Sequence, residues 1–158
     1  PPEKLGEFIN DQILRTLAGI AEAGRPDFLK IVYHGPRLME EICQYDPNLI
    51  VGVLGGSAGT TYDAFRLLHD AKKHGARVAL YGRKINNAEH QLAFIEFLRL
   101  IAEDTIGPEE AVHAYHGVLQ GKGITPKLSL EQDLELTEQS MRYSDTGGKP
   151  SVAIRNNP

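Results

Sequence analysis

Short apolar runs alternate with longer segments of helical periodicity through the first two thirds of the chain. The runs that have the length of a strand are 27–33, 49–56 and 76–84. Elsewhere apolar residues recur every three or four positions, which is typical of amphipathic helices. This spacing predicts helices over 5–23, 36–43, 62–74 and 89–103. Apolar strands that alternate with helices indicate an α/β fold with a parallel sheet covered by helices.

Two more amphipathic segments follow and predict helices over 108–120 and 129–141. Ser129, with Gln132 three residues later, has the spacing of a capping box for the second of them. From Ser144 onward the chain is rich in Gly, Pro, Asn and charge. That composition predicts a disordered or partner-bound tail.

Three strands do not close a barrel, and an open parallel sheet of three strands has two unpaired edges. A helix followed by three strand–helix units matches strands six to eight of a (β/α)8 TIM barrel. We therefore expect an α/β fold that is the C-terminal portion of such a barrel, with additional C-terminal helices. Residues 1–106 would form the barrel portion, 107–143 a helical extension and 144–158 a flexible tail. The chain opens without a start Met, which suggests a piece of a longer protein.

Composition narrows the classes of function. The 158 residues, 41% of them hydrophobic, carry a net charge of −4, with no basic footprint for nucleic acid or a membrane surface. No apolar stretch approaches the roughly 20 residues that span a bilayer. Cys43 is the only cysteine, so no internal disulfide forms, which suits a reducing cytoplasm.

Lys30 lies inside the first apolar run. Strand alternation places it on the same face as Phe28 and Val32. Burying an ammonium group costs several kcal/mol unless the group is paired or loses its proton. Lys30 either reaches the strand end or pairs with Asp27 or Glu41, or it is an amine made nucleophilic by its surroundings.

The other two strands each end in a loop that contains glycine. These loops are Gly55-Gly56-Ser57-Ala58-Gly59 and Gly82-Arg83. A tight turn before a helix aims backbone N–H groups at an anion, and a guanidinium binds phosphate oxygens bidentately. Taken singly, either loop is explained as a connection between elements. Together with Lys30 they predict one phosphate site at the carboxyl ends of the strands.

Other ionisable residues have less specific explanations. His113 and His116 do not have the His-Glu-x-x-His spacing and belong to an ordinary amphipathic helix, so no metal site is predicted. His34 either touches substrate or ends its strand. Lys84 either adds positive charge to the second loop or is a solvated surface lysine.

The segment 27–83 resembles the archaeal-type class I fructose-bisphosphate aldolases and the wider group of tagatose- and deoxyribose-phosphate aldolases. The matching pieces are Asp27-Phe28-Leu29-Lys30-Ile31-Val32-Tyr33-His34-Gly35, Gly55-Gly56 with Thr61 and Phe65, and Gly82-Arg83. The resemblance extends over roughly residues 8–103. It implies that Lys30 forms the Schiff base with the substrate. It also implies phosphate-binding roles for Gly55, Gly56, Gly82 and Arg83.

The chain departs from that family around the glycine pair. Leu54 stands where a small polar residue is usual and Ala58 where a lysine is usual, and Ser57 is expected to substitute in binding phosphate. The acid/base tyrosine and an acidic residue of the family come from earlier strands. Catalysis is therefore expected only when those strands are supplied.

The resemblance implies a cytoplasmic lyase of carbohydrate metabolism that acts on a small phosphorylated sugar. The amphipathic helices after residue 107 are expected to serve contacts in a homo-oligomer, and the composition predicts no nucleic-acid or membrane partner. No metal and no cofactor beyond the covalent lysine imine are expected. Two alternatives stay open: a sugar-phosphate-binding barrel without catalysis, and an assembly subunit whose barrel is a scaffold.

Overall fold

The computed structural model describes residues 2–56, 59–138 and 141. They form a mixed α/β fold around a parallel three-stranded sheet in the order β1-β2-β3. The strands are β1 (Phe28–Ile31), β2 (Ile50–Leu54) and β3 (Val78–Leu80). All three predicted strands are present, and each is shorter than its apolar run.

Seven α-helices and one short 3₁₀ helix (Glu22–Gly24) accompany the sheet in the described ranges. The α-helices are α1 (Pro2–Ala18), α2 (Pro36–Tyr45), α3 (Thr61–Lys73), α4 (Arg83–Asn86), α5 (Gln91–Ala102), α6 (Pro108–Gly121) and α7 (Leu130–Asp133). None of these helices is long and apolar enough to cross a membrane.

Two helix predictions need correction, and one helix was not predicted. The first helix ends at Ala18 instead of residue 23. The amide of Gly19 donates to the carbonyl of Arg15 and closes the last turn. The helix predicted over 129–141 has the expected capping box between Ser129 and Gln132 but ends at Asp133. The short helix α4 was not predicted and begins directly at Arg83. The predicted tail over 144–158 lies outside the described residues.

The apolar side chains form two clusters. In the first, Ile31, Val51 and Val53 of the sheet pack against residues of α1 and α2. The second lies between α3, α5 and α6 and is rich in aromatic rings, with the centroids of Phe65 and Phe94 5.1 Å apart. Helix α6, the first helix after residue 107, thus packs against α3 and α5.

The opposite face of the sheet is exposed in the described part of the chain. Phe28 is 41% exposed and Val32 48%, and Leu54 and Val78 are each 36% exposed. Lys30 belongs to the same face. It is paired with Gly52 of β2, and Gly52 is paired with Val78 of β3. We call these five exposed residues (Phe28, Lys30, Val32, Leu54 and Val78) the open face.

Candidate functional site

The carboxyl ends of the three strands meet at one edge of the sheet, as they must in a parallel arrangement. A pocket of about 430 Å³ opens there. Its lining includes every predicted site residue that the structure describes: Lys30, Gly55, Gly56, Gly82 and Arg83. The sixth predicted residue, Ser57, lies outside the described residues.

Lys30 lies in the pocket but is not buried. Its side chain belongs to the open face and is exposed, although the apolar run around it is typical of a buried strand. The alternative pairing with Asp27 or Glu41 is absent from the described residues, where Glu41 instead accepts a hydrogen bond from Asn10 at 2.9 Å. Lys30 therefore lines the pocket without a carboxylate partner among these residues.

Arg83 supplies a second cation on the far side of the pocket. It is the first residue of α4, its side chain is exposed, and it makes no ion pair within the described ranges. Gly82 precedes it, and a Cβ placed on Gly82 would meet no atom within 4 Å. The fold does not require glycine at this position, whereas a ligand that approaches the backbone closely would.

Gly55 is required by the fold. Its amide donates to the carbonyl of Leu80 at 3.0 Å, and a Cβ at this position would lie only 2.1 Å from the ring of Tyr81. The phenol of Tyr81 donates to the carbonyl of Ala64 at 2.6 Å, which fixes the ring. Burial raises the pKa of this phenol. Tyr81 thus packs under the turn and holds the end of β2 in place.

The glycine-rich turn ends at the N-cap of α3. The N-cap is Thr60: the Thr60 hydroxyl accepts from the amide of Asp63 at 3.1 Å, and the Asp63 carboxylate accepts from the amide of Thr60 at 2.8 Å. This reciprocal pair satisfies two helix-end amides. A carboxylate also interacts favourably with the positive end of the helix dipole.

Lys84 ties the two loops together. Its Nζ donates to the carbonyl of Gly59 at 2.6 Å, so the residue after Arg83 contacts the end of the glycine-rich turn. Burial lowers the pKa of the Lys84 ammonium, and the nearby carboxylates of Asp133 and Asp63 oppose that shift. Lys84 is thus a structural bridge between the loops rather than a solvated lysine.

Sequence reasoning missed the acidic residues that surround this region. Asp63 and Glu138 line the pocket, and the buried carboxylate of Asp133 accepts from the amide of Thr61 at 2.6 Å. The spacing Thr60-x-x-Asp63 is a capping-box signal that could have identified Asp63. Nothing local in the sequence marks Asp133, because its partner is 72 positions away.

The histidines take no part in the pocket. Nε2 of His116 lies 2.8 Å from Asp133 Oδ2, and His113 lines a separate groove between α3 and α6. His34 packs beside Gly6 of α1, and burial lowers the pKa of its imidazole. No cluster of three potential metal ligands occurs among the residues that the structure describes.

The arrangement is suited to an anionic ligand. Two cations without carboxylate partners among the described residues, Lys30 and Arg83, line the pocket with the backbone of two glycine-containing loops. Guanidinium groups and backbone amides are the common protein ligands of phosphate. Searches with protein-family models, curated proteins and solved structures found no match to this chain.

Proposed function

We propose that this chain is the C-terminal portion of a class I aldolase barrel that cleaves or forms a C–C bond of a phosphorylated sugar. The observation that carries the proposal is the pocket shared by Lys30, the turn at Gly55 and Gly56, and the pair Gly82 and Arg83. A reactive amine and a phosphate site within one cavity are what a Schiff-base aldolase requires.

The open face supports the barrel part of the proposal. In a TIM barrel the helices cover the outer face of the sheet, and the inner face packs against the other strands. Here the helices pack on one face, and apolar side chains such as Phe28 and Val32 are exposed on the other. Lys30 would become enclosed when further strands cover this face.

The chemistry assigned to Lys30 is nucleophilic catalysis. Its deprotonated Nζ adds to the carbonyl carbon of a phosphorylated ketose, and loss of water gives a protonated imine. Cleavage of the neighbouring C–C bond moves its electron pair towards the imine and yields an enamine. A base takes the hydroxyl proton of the departing aldehyde; in the family that the sequence resembles, that group comes from earlier strands. The Arg83 guanidinium and the loop amides hold the phosphate.

The exposure of Lys30 favours a second candidate function. A barrel that keeps the phosphate loops but leaves Lys30 open to solvent, as it is among the described residues, would bind sugar phosphates without turning them over. The two functions share the phosphate site and differ in whether Lys30 becomes covalently modified.

Borohydride trapping separates them. The full-length protein is incubated with dihydroxyacetone phosphate and borohydride, which reduces an imine to a stable secondary amine. Peptide mass mapping is expected to place the adduct on Lys30. An adduct on Lys84 would transfer the nucleophile to that residue. No adduct with several phosphorylated ketones would refute the aldolase assignment and leave the binding function.

Arg83→Ala is expected to weaken binding of a phosphorylated ligand roughly 10- to 100-fold, because a charge-assisted hydrogen bond contributes about 1.5–3 kcal/mol. The measurement is calorimetric titration with glycerol 3-phosphate, or KM for a cleaved ketose. Arg25→Ala is the matched control, since Arg25 is exposed just before β1, at the other end of the sheet. Equal affinities for the two variants would exclude Arg83 from the phosphate site.

A further inference from the structure

The chain returns to the pocket after α7. Segment 135–138 lies against the first turn of α3 and makes hydrogen bonds to it that span more than 70 positions of sequence. The Thr60 hydroxyl donates to the carbonyl of Glu135 at 2.7 Å. At its other end the segment reaches Glu138, which lines the pocket together with Lys30. Segment 135–138 is therefore part of the pocket's lining.

Asp63 is the residue that holds the segment. Its Oδ1 accepts from the amides of Thr137 at 2.8 Å and Glu138 at 3.0 Å. Its Oδ2 accepts from the Thr137 hydroxyl at 2.5 Å and from the amide of Thr60 at 2.8 Å. One carboxylate, only 4% exposed, thus joins segment 135–138 to the residue that ends the glycine-rich turn.

Gly59, the last residue of the glycine-rich turn, is held by a second contact. Lys84 donates to the carbonyl of Gly59, the residue directly before Thr60. A Cβ on Gly59 would lie 2.3 Å from Asp63 Oδ2, so Gly59 lies very close to the carboxylate. A shift of Asp63 would therefore move Gly59 and Thr60, where the loop assigned to phosphate joins α3.

We infer that Asp63 is a positioning residue for the phosphate pocket, through which docking of segment 135–138 and binding of a phosphorylated ligand stabilise each other. This inference rests on the proposed phosphate site. Coupling between two binding events is reciprocal. A change that weakens docking of the segment must therefore weaken ligand binding, and bound ligand must stabilise the docked segment.

Thr137→Val tests the first half of this statement. Valine has nearly the shape of threonine but lacks the hydroxyl that donates to Asp63 Oδ2. We expect its affinity for glycerol 3-phosphate to fall about fivefold, at the low end of usual coupling. Thr137→Ser, which keeps the hydroxyl, is expected to retain wild-type affinity. Thr105→Val, in the exposed connection between α5 and α6, is the matched control.

Hydrogen exchange tests the second half. The amides of Thr137 and Glu138 both donate to Asp63, so saturating glycerol 3-phosphate is expected to slow their exchange in the wild type. If the contact served stability alone, Thr137→Val would have a lower melting temperature but the same affinity as the wild type. In that case glycerol 3-phosphate would also not slow the exchange of the two amides in the wild type. Asp63→Asn, which replaces an acceptor by a donor, should show the larger loss of affinity; if it does not fold, Thr137→Val carries the test.

The outcomes are distinguishable from failure of the proposed function. Glycerol 3-phosphate has no carbonyl group, so its binding does not depend on imine formation at Lys30. If Arg83→Ala weakens binding while Thr137→Val does not, the phosphate site stands and the role of Asp63 is refuted. If the wild type does not bind the probe, or if Arg83→Ala binds it equally well, the phosphate site fails and the inference about Asp63 fails with it.

Discussion

Lys30→Met is expected to abolish carbon–carbon bond cleavage and borohydride trapping while leaving the fold intact. The loss follows because methionine has no amine to form the imine. The fold should be preserved because the Lys30 side chain is exposed and makes no ion pair among the described residues. Surface substitutions of this kind usually change stability by no more than about 0.5 kcal/mol. Turnover of a phosphorylated ketose and thermal unfolding measure the two effects.

Lys84→Met is the matched control. Lys84 lies near the same loops, and burial lowers the pKa of its amine, so it is the competing nucleophile. Lys84 does not line the pocket, and its Nζ donates a hydrogen bond to the carbonyl of Gly59. We expect Lys84→Met to lose some stability and keep the covalent adduct. If Lys84→Met lost the adduct and Lys30→Met kept it, Lys84 would be the residue that forms the imine.

The grouping of the pocket residues could be predicted from sequence for a geometric reason. Three apolar runs separated by helices require a parallel sheet, and the carboxyl ends of parallel strands share one edge. Lys30, Gly55 and Gly82 each lie at or near a strand end, so their convergence required no knowledge of packing. Whether that sheet belongs to a barrel is a separate matter, because three strands with one covered face are compatible with more than one complete fold.

The exposure of Lys30 could not be predicted. Alternation along a strand assigns side chains to faces, but burial depends on what covers each face. The face that carries Phe28 and Val32 is apolar and would be buried in many folds, whereas here both side chains are exposed. The chain's own helices cover only the other face among the described residues.

Segment 135–138 shows the limit of local patterns. The capping box at Ser129 was predicted correctly because it depends on residues three positions apart. The end of α7 was not predicted correctly, because Asp63 holds the chain beyond this helix. The hydrogen bond from the amide of Thr137 to Asp63 spans 74 positions. Long-range hydrogen bonds override a continuing amphipathic pattern, and single-sequence periodicity does not report them.

Gly55→Ala is expected to destabilise the fold strongly. A Cβ at this position would lie 2.1 Å from the Tyr81 ring, and that ring cannot turn away without breaking its hydrogen bond to Ala64. Overpacking of this kind costs roughly 1–3 kcal/mol, and we expect the upper end here because backbone and ring are both fixed. For a chain of this size, the melting temperature should fall by on the order of 10 °C.

Gly82→Ala separates this structural effect from a ligand effect. Because a Cβ on Gly82 meets no atom within 4 Å, its melting temperature should match that of the wild type, while its affinity for glycerol 3-phosphate should fall. Tyr81→Ala should relieve the clash, so Gly55→Ala should cost less stability in the Tyr81→Ala background, a coupling that a double-mutant cycle measures. A Gly55→Ala variant as stable as Gly82→Ala would show that the Tyr81 ring does not restrict the turn. In that case both glycines would be explained by the ligand, since the packing of the sheet edge would tolerate a methyl group at either position.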